Sequence, residues 1–179
     1  FMSTAASLHR SEMTRYAIVM GVSGCGKTSV GEGLAQSTGI RFVDGDALHP
    51  KANVDKMSAG TPLTDEDRWP WLELIGREFA NSPAPLIIGC SALKRGYRDM
   101  IRHHAGAMVS FIHLSGSREI IARRMQARKD HFMPPALLDS QFAALEPLAA
   151  DEDSVSIDID QPLEAIIAQA TRHLEGKTP

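Results

Sequence analysis

Eight residues constrain this chain more than any others: Gly21-Val22-Ser23-Gly24-Cys25-Gly26-Lys27-Thr28. They satisfy G-x-x-x-x-G-K-[ST]. Glycine costs a regular element roughly 0.5 to 1 kcal/mol against alanine, so stability does not explain this cluster directly after Ala17-Ile18-Val19-Met20. Phosphate binding does. The apolar run reads as a strand and Lys27–Ser37 as a helix closed by Gly39, which is the setting the motif requires. Glycines let consecutive N–H groups turn inward as an anion nest, and the helix N-terminus adds about half a positive charge. Gly21 to Thr28 is therefore the expected nucleotide cradle for ATP. Lys27 is placed to reach the β- and γ-phosphates, and the Thr28 hydroxyl to ligate magnesium. Cys25 fills a variable position and reads as a small buried thiol.

The rest of the chain repeats the alternation of strand and helix. Short apolar runs at Tyr16–Met20, Ile40–Val43, Pro85–Cys90, Met108–Leu114 and Val155–Ile159 predict five buried strands. Between them, Thr64-Asp65-Glu66-Asp67 resembles a capping box ahead of Leu72, Ile75 and Phe79, Cys90 to Asp99 runs into a helix, Ser117–Lys129 is helical, and Pro162 opens a last helix. Pro70 marks a start or a kink in the helix that carries it. Strands alternating with helices imply an α/β fold with a parallel sheet covered on both faces.

Composition narrows the function classes. A chain of 179 residues with 43% apolar content has the size of one domain. The reading is a flexible tail at 1–15 and a single domain over 16–179. A net charge of -3 from 19 basic and 22 acidic residues, without like-charge blocks, argues against nucleic acid or an anionic membrane as partner. Two cysteines without metal spacing fit a reducing, cytoplasmic setting. No apolar run approaches the roughly 20 residues of a membrane helix.

A phosphate-binding loop leaves the acceptor open, and the next informative stretch bears on it. Asp44 and Asp46 close the second strand two residues apart, so both carboxylates of an extended segment would face the cleft at the sheet's carboxyl edge. One can serve hydrated magnesium and the other a substrate hydroxyl; Asp44 on the metal and Asp46 as proton acceptor is the preferred order, with the reverse open. The alternative is an Asx turn at a strand end.

Three stretches carry a resemblance: "DGDALHPKANVDKMSAGTPLTDEDRWPWL", "CSALKRGYRDMIR" and "RMQARKDHFMPPALLDSQFAALE". Together they resemble gluconokinases, small ATP-dependent sugar-acid kinases, over residues 16 to 170. The resemblance implies an adenylate-kinase-like, three-layer P-loop kinase fold with a five-stranded parallel sheet and a mobile lid. It implies gluconate as substrate, ATP and magnesium as cofactors, and a homodimer. His49 and Arg68 fall within its substrate stretch and are carried over as ligands of the polyol or the carboxylate.

The cationic residues agree with that picture on their own spacing. Lys94, Arg95 and Arg98 follow the third strand, and Lys94 and Arg98 at i, i+4 would share a face where a substrate carboxylate needs cations. Arg124 and Arg128 have the same spacing on the helix leading into "KDHFMPP", read as a lid over roughly 124–145, from which a guanidinium could neutralise charge on the γ-phosphate. "IDIDQPLEAI" reads equally as the neighbour of the nucleotide base and as a plain strand-to-helix turn. Two rivals remain: another small-molecule kinase of this fold, such as a shikimate kinase, and a non-enzymatic nucleotide switch.

Overall fold

A computed structural model describes residues 14–127 and 135–176. Its centre is β1 (Tyr16–Met20), buried along its whole length. Complete burial follows from neighbours on both edges: β3 (Leu86–Gly89) pairs in parallel on one side and β4 (Ser110–Ser115) on the other. The outer strands are β2 (Arg41–Asp44) beside β3 and β5 (Ser154–Asp158) beside β4, giving the order β2-β3-β1-β4-β5, all parallel. Both strand count and direction are as expected, and each strand lies within two residues of its predicted bounds.

Alternation along β1 divides the core. Ala17 and Val19 pack with Val30 and Leu34 of α1 (Lys27–Thr38). Tyr16, Ile18 and Met20 point the opposite way. They meet Leu72, Ile75 and Phe79 of α3 (Asp65–Ala80) and Ile101 of α4 (Arg95–Ala105). Successive strand residues project to opposite faces, so an all-apolar β1 demands helices on both, and a three-layer domain results. The last helix, α7 (Leu163–Leu174), covers the first face through Ile166, Ala170 and Leu174.

Three local features depart from the expected outline. First, α3 starts at Asp65 and continues through Pro70. Its start is fixed by a full capping box, in which Thr64 Oγ1 accepts from the Asp67 N–H at 3.1 Å and Asp67 Oδ2 accepts from the Thr64 N–H at 2.9 Å. Pro70 removes only the donor that would serve Glu66, and both residues are exposed where water can replace it. Second, the short helix α2 (Lys51–Ser58) has no counterpart in the sequence reading, because Asn53 is its only buried residue and no apolar period exists to reveal it. Third, Thr14 and Arg15, assigned to the tail, already bond to the domain: the Thr14 N–H donates to Leu174 O at 2.8 Å and Arg15 O accepts from the Leu86 N–H at 2.9 Å. The expected lid is described only at its flanks, α5 (Arg118–Ala127) and α6 (Pro135–Ala144).

Candidate active site

The loop between β1 and α1 has the backbone that its glycines permit. Gly21 has φ 148°, and a Cβ there would lie 2.9 Å from the Leu114 carbonyl oxygen. Gly26, at φ 99°, caps α1 without a side chain of its own, so the first N–H groups of the helix are presented to the cleft. Lys27 folds back over the loop, its ammonium donating to Gly21 O at 3.0 Å and Val22 O at 3.3 Å. Thr28 is exposed on the first turn. Cys25 is buried, and burial pushes its thiol above the ordinary range.

Two side chains reach this loop from far along the chain. Gln141 of α6 accepts from the Ser23 backbone N–H at 2.7 Å and donates to Ser23 Oγ at 3.0 Å, so an amide oxygen meets one of the loop's N–H groups. Arg124 of α5 donates to Ile159 O, and its Nη1 lies 4.0 Å from where a Cβ on Gly26 would be. The guanidinium thus stands beside the N-terminus of α1.

A cleft of about 420 Å³ opens at the carboxyl edge of the sheet and joins this loop to the residues after β2. Ser23, Lys27, Asp46, His49, Arg68 and Ser91 all line it. Asp46 does not reach it by strand alternation. The strand stops at Asp44, and Gly45–Leu48 form a 3₁₀ turn in which Asp44 Oδ1 accepts from the Asp46 N–H at 3.0 Å. Asp44 therefore makes the Asx turn weighed as the alternative, and that turn aims Asp46 at the cleft. Asp46 is solvent-accessible, yet its carboxyl is held above the usual range, first by the protein around it and then by the Asp44 charge, with Lys27 pulling it down.

His49 stacks flat on Trp71, with ring centroids 3.9 Å apart and planes 16° from parallel. Burial, then the Arg68 charge, lowers its pKa to about 4, so the ring is neutral at physiological pH. Arg68 follows from the capping box that starts α3, with Nη1 donating to Leu63 O at 2.6 Å and its guanidinium 5.5 Å from the Tyr97 ring centroid.

The remaining cations are placed differently from the sequence reading. Lys94 is the N-cap of α4, with extended backbone, so it does not share a helical face with Arg98; its ammonium sits 3.3 Å from both oxygens of Asp65. Arg98 is fully buried. Its Nε donates to Glu152 Oε2 at 2.7 Å, and its remaining donors reach Glu152 Oε1 and the carbonyls of Ala92, Leu93, Glu146 and Pro147. A guanidinium enclosed this way ties the loop before β5 to the start of α4 and is not presented to a substrate carboxylate, which corrects the role expected for Arg98. Arg95 forks onto Asp151, with both contacts at 2.9 Å. Arg128 lies outside the described residues.

Ser91, Trp71, Ser140 and Gln141 also line the cleft and were not anticipated. The serines and Gln141 carry no signal of type or spacing. Trp71 could have been suspected as an aromatic one turn beyond a capping box, facing a histidine in the same stretch.

Comparison with known proteins agrees with this architecture. A family model described as an AAA domain matches residues 17–148. A gluconokinase of Gluconobacter oxydans (strain 621H) is 42% identical over 175 residues, which is 94% of this chain and 98% of that protein. A crystal structure of a gluconokinase from Sinorhizobium meliloti 1021 superposes with a TM-score of 0.84 at 48% identity, covering 90% of this chain and 92% of the other. Shikimate kinase from Aquifex aeolicus vf5 aligns over 90% of this chain and 96% of its own with a TM-score of 0.55, but at 16% identity the likeness is one of fold alone.

Proposed function

The chain belongs to the gluconokinase family, and from that premise we infer how its cleft transfers the γ-phosphoryl group of ATP to D-gluconate, giving 6-phospho-D-gluconate and ADP. The observation that carries the reading is one continuous cleft lined both by Lys27 of the phosphate loop and by Asp46, His49 and Arg68. A nucleotide switch has no need of the second set.

The phosphoryl group enters over Gly21 to Thr28, where loop N–H groups and the helix N-terminus hold its oxygens. Lys27, tethered now to loop carbonyls, exchanges them for the β- and γ-phosphates. The acceptor is the 6-hydroxyl, by likeness to the family: its oxygen forms the new bond to Pγ, the bond from Pγ to the β-bridging oxygen breaks, and ADP keeps that electron pair. Asp46 orients the hydroxyl and takes its proton. Arg68 and His49 are the acceptor-side ligands, with Lys94 beside them on Asp65. Arg124, and Arg128 with it, counters negative charge on the transferring group.

Magnesium fits the donors present. Thr28 offers a hydroxyl and Asp44 a carboxylate, hard oxygen ligands that suit an ion arriving with a nucleotide and keeping several waters. Held by these residues, the ion would supply Lewis-acid neutralisation of phosphate charge. Among the described residues no group of three or more His, Cys, Asp or Glu could hold a metal ion by itself, and a magnesium shared with ATP requires none. None of the described helices is long and apolar enough to cross a membrane; a cytoplasmic location rests on the two buried, unpaired cysteines.

The test is ADP release with ATP and magnesium, measured with gluconate, with shikimate and with neither. Release that depends on gluconate is the expected result. Release that shikimate stimulates equally, or that ignores both acids, overturns the reading.

A further inference from the structure

Asn53 is a buried polar residue, 3% exposed, on a helix otherwise turned to solvent. Its side-chain nitrogen lies 2.9 Å from the Asp67 carbonyl oxygen and 3.2 Å from His49 Nδ1. These two contacts fix more than a position. A carbonyl oxygen can only accept, so the Asn53 atom facing Asp67 is the NH₂ group, and its second hydrogen is what His49 Nδ1 meets. A ring nitrogen that accepts carries no proton. The proton of the neutral ring is then on Nε2, at the edge turned away from Asn53.

The ring plane is set independently. Trp71, itself 3% exposed, has its indole N–H fixed to Gly45 O at 2.8 Å, and His49 lies flat against it. Stacking leaves the ring free to slide or flip within its plane, and the Asn53 bond removes that freedom. His49 lines the same cleft as Asp46 and Arg68. Its low pKa, imposed by burial and by Arg68, keeps an imidazolium from forming beside that guanidinium.

We propose that Asn53 is a positioning residue for the acceptor: it holds His49 as the neutral Nε2–H tautomer, so that the ring donates a hydrogen bond into the cleft to an oxygen of the bound sugar acid. The inference rests on the reading of this cleft as the gluconate site. A locked donor asks the substrate for an acceptor oxygen at that point and rejects an analogue lacking one, because the Nε2–H would be left unpaired.

Nitrogen-15 NMR of the full chain labelled at histidine separates a protonated from an unprotonated ring nitrogen, with the His49 signals identified by their loss in His49→Gln. At neutral pH the wild type is expected to show Nδ1 bare and Nε2 protonated. A protonated Nδ1 overturns the proposal, and this readout needs neither activity nor a folded Asn53 variant. Asn53→Leu is expected to mix the tautomers and to raise KM for gluconate by about 3- to 10-fold, the worth of one hydrogen bond, with KM for ATP unchanged. His49→Gln, whose amide can reach the Nε2 position, should keep KM for gluconate closer to wild type than His49→Asn, whose amide reaches only the Nδ1 position. An unchanged tautomer in Asn53→Leu, or equal losses in the two His49 variants, sinks the idea. A protein that shows the tautomer but no gluconate-dependent ADP release would instead refute the functional reading.

Discussion

In the proposed reading of the cleft, its phosphate side works with backbone and its sugar side with side chains. The loop after β1 takes its shape from glycines at positive φ and offers N–H groups, and its one charged side chain, Lys27, donates back to loop carbonyls. The other side is a set of relays: Asn53 to His49, His49 against Trp71, Trp71 to Gly45, Asp65 between Lys94 and Tyr97. A phosphate is the same in every nucleotide, so a fixed backbone cradle suffices. A particular sugar acid has to be told from others by where its oxygens lie, and side chains braced by neighbours supply that discrimination.

The comparison breaks most visibly at Asp46. If the sugar end does the proton transfer, Asp46→Asn should lower kcat by about 10²- to 10⁴-fold while ATP affinity, followed by titration, stays within a few fold. Lost ATP affinity accounting for the whole defect would move Asp46 to the phosphate end and exchange it with Asp44.

Next in size is the brace. Arg98→Leu leaves Glu152 buried without its main partner, and should cost about 3 to 5 kcal/mol of stability, a fall in Tm of roughly 10 °C, while the residual folded enzyme keeps its KM for gluconate. A rise in KM with no change in Tm would return Arg98 to the substrate.

Lys27→Ala sharpens the contrast from the other side. Among the described residues its ammonium bonds two loop carbonyls, so the fold should survive, with kcat reduced about 10²- to 10³-fold. A variant that keeps more than a tenth of wild-type turnover contradicts the assignment.

The smallest effect is in acid. Burial tends to raise the Glu152 pKa, but Arg98, the Ala149 N–H and Arg102 outweigh it and hold the carboxyl below the ordinary glutamate range. A carboxyl depressed in the folded state stabilises above its unfolded pKa and loses that contribution as pH falls through the folded one. Tm should therefore drop more steeply below about pH 4.5 in the wild type than in an Arg98→Met, Glu152→Leu double variant. Parallel curves would show that the pair contributes no acid sensitivity.

The same contrast explains what could be read from the sequence. Backbone function is written locally: the loop, its flanking strand and helix, and the Thr64 capping box each lie within a dozen contiguous residues, and the sheet followed from five apolar runs. Asp46, His49 and Arg68, which line one cleft, could be picked out because one stretch holds them all. Arg98 was misread because its partner Glu152 is 54 residues away, and no spacing rule distinguishes a cation facing a substrate from one facing a buried carboxylate. Asn53 and Gln141 were invisible for a related reason. A neutral amide acquires meaning only from what it touches.

The pairing of Arg98 with Glu152 also bears on how such a chain can change over generations. Either residue altered alone strands a charge in the interior, whereas a joint replacement by apolar side chains of similar volume can be close to neutral. Drift at one position is thereby closed until the other has moved, and a lineage crosses that valley only through a less stable intermediate. The pair acts as a genetic ratchet: two sites far apart in the gene must vary together, while an exposed pair such as Arg77 with Glu73, one helical turn apart, is free to be lost and regained.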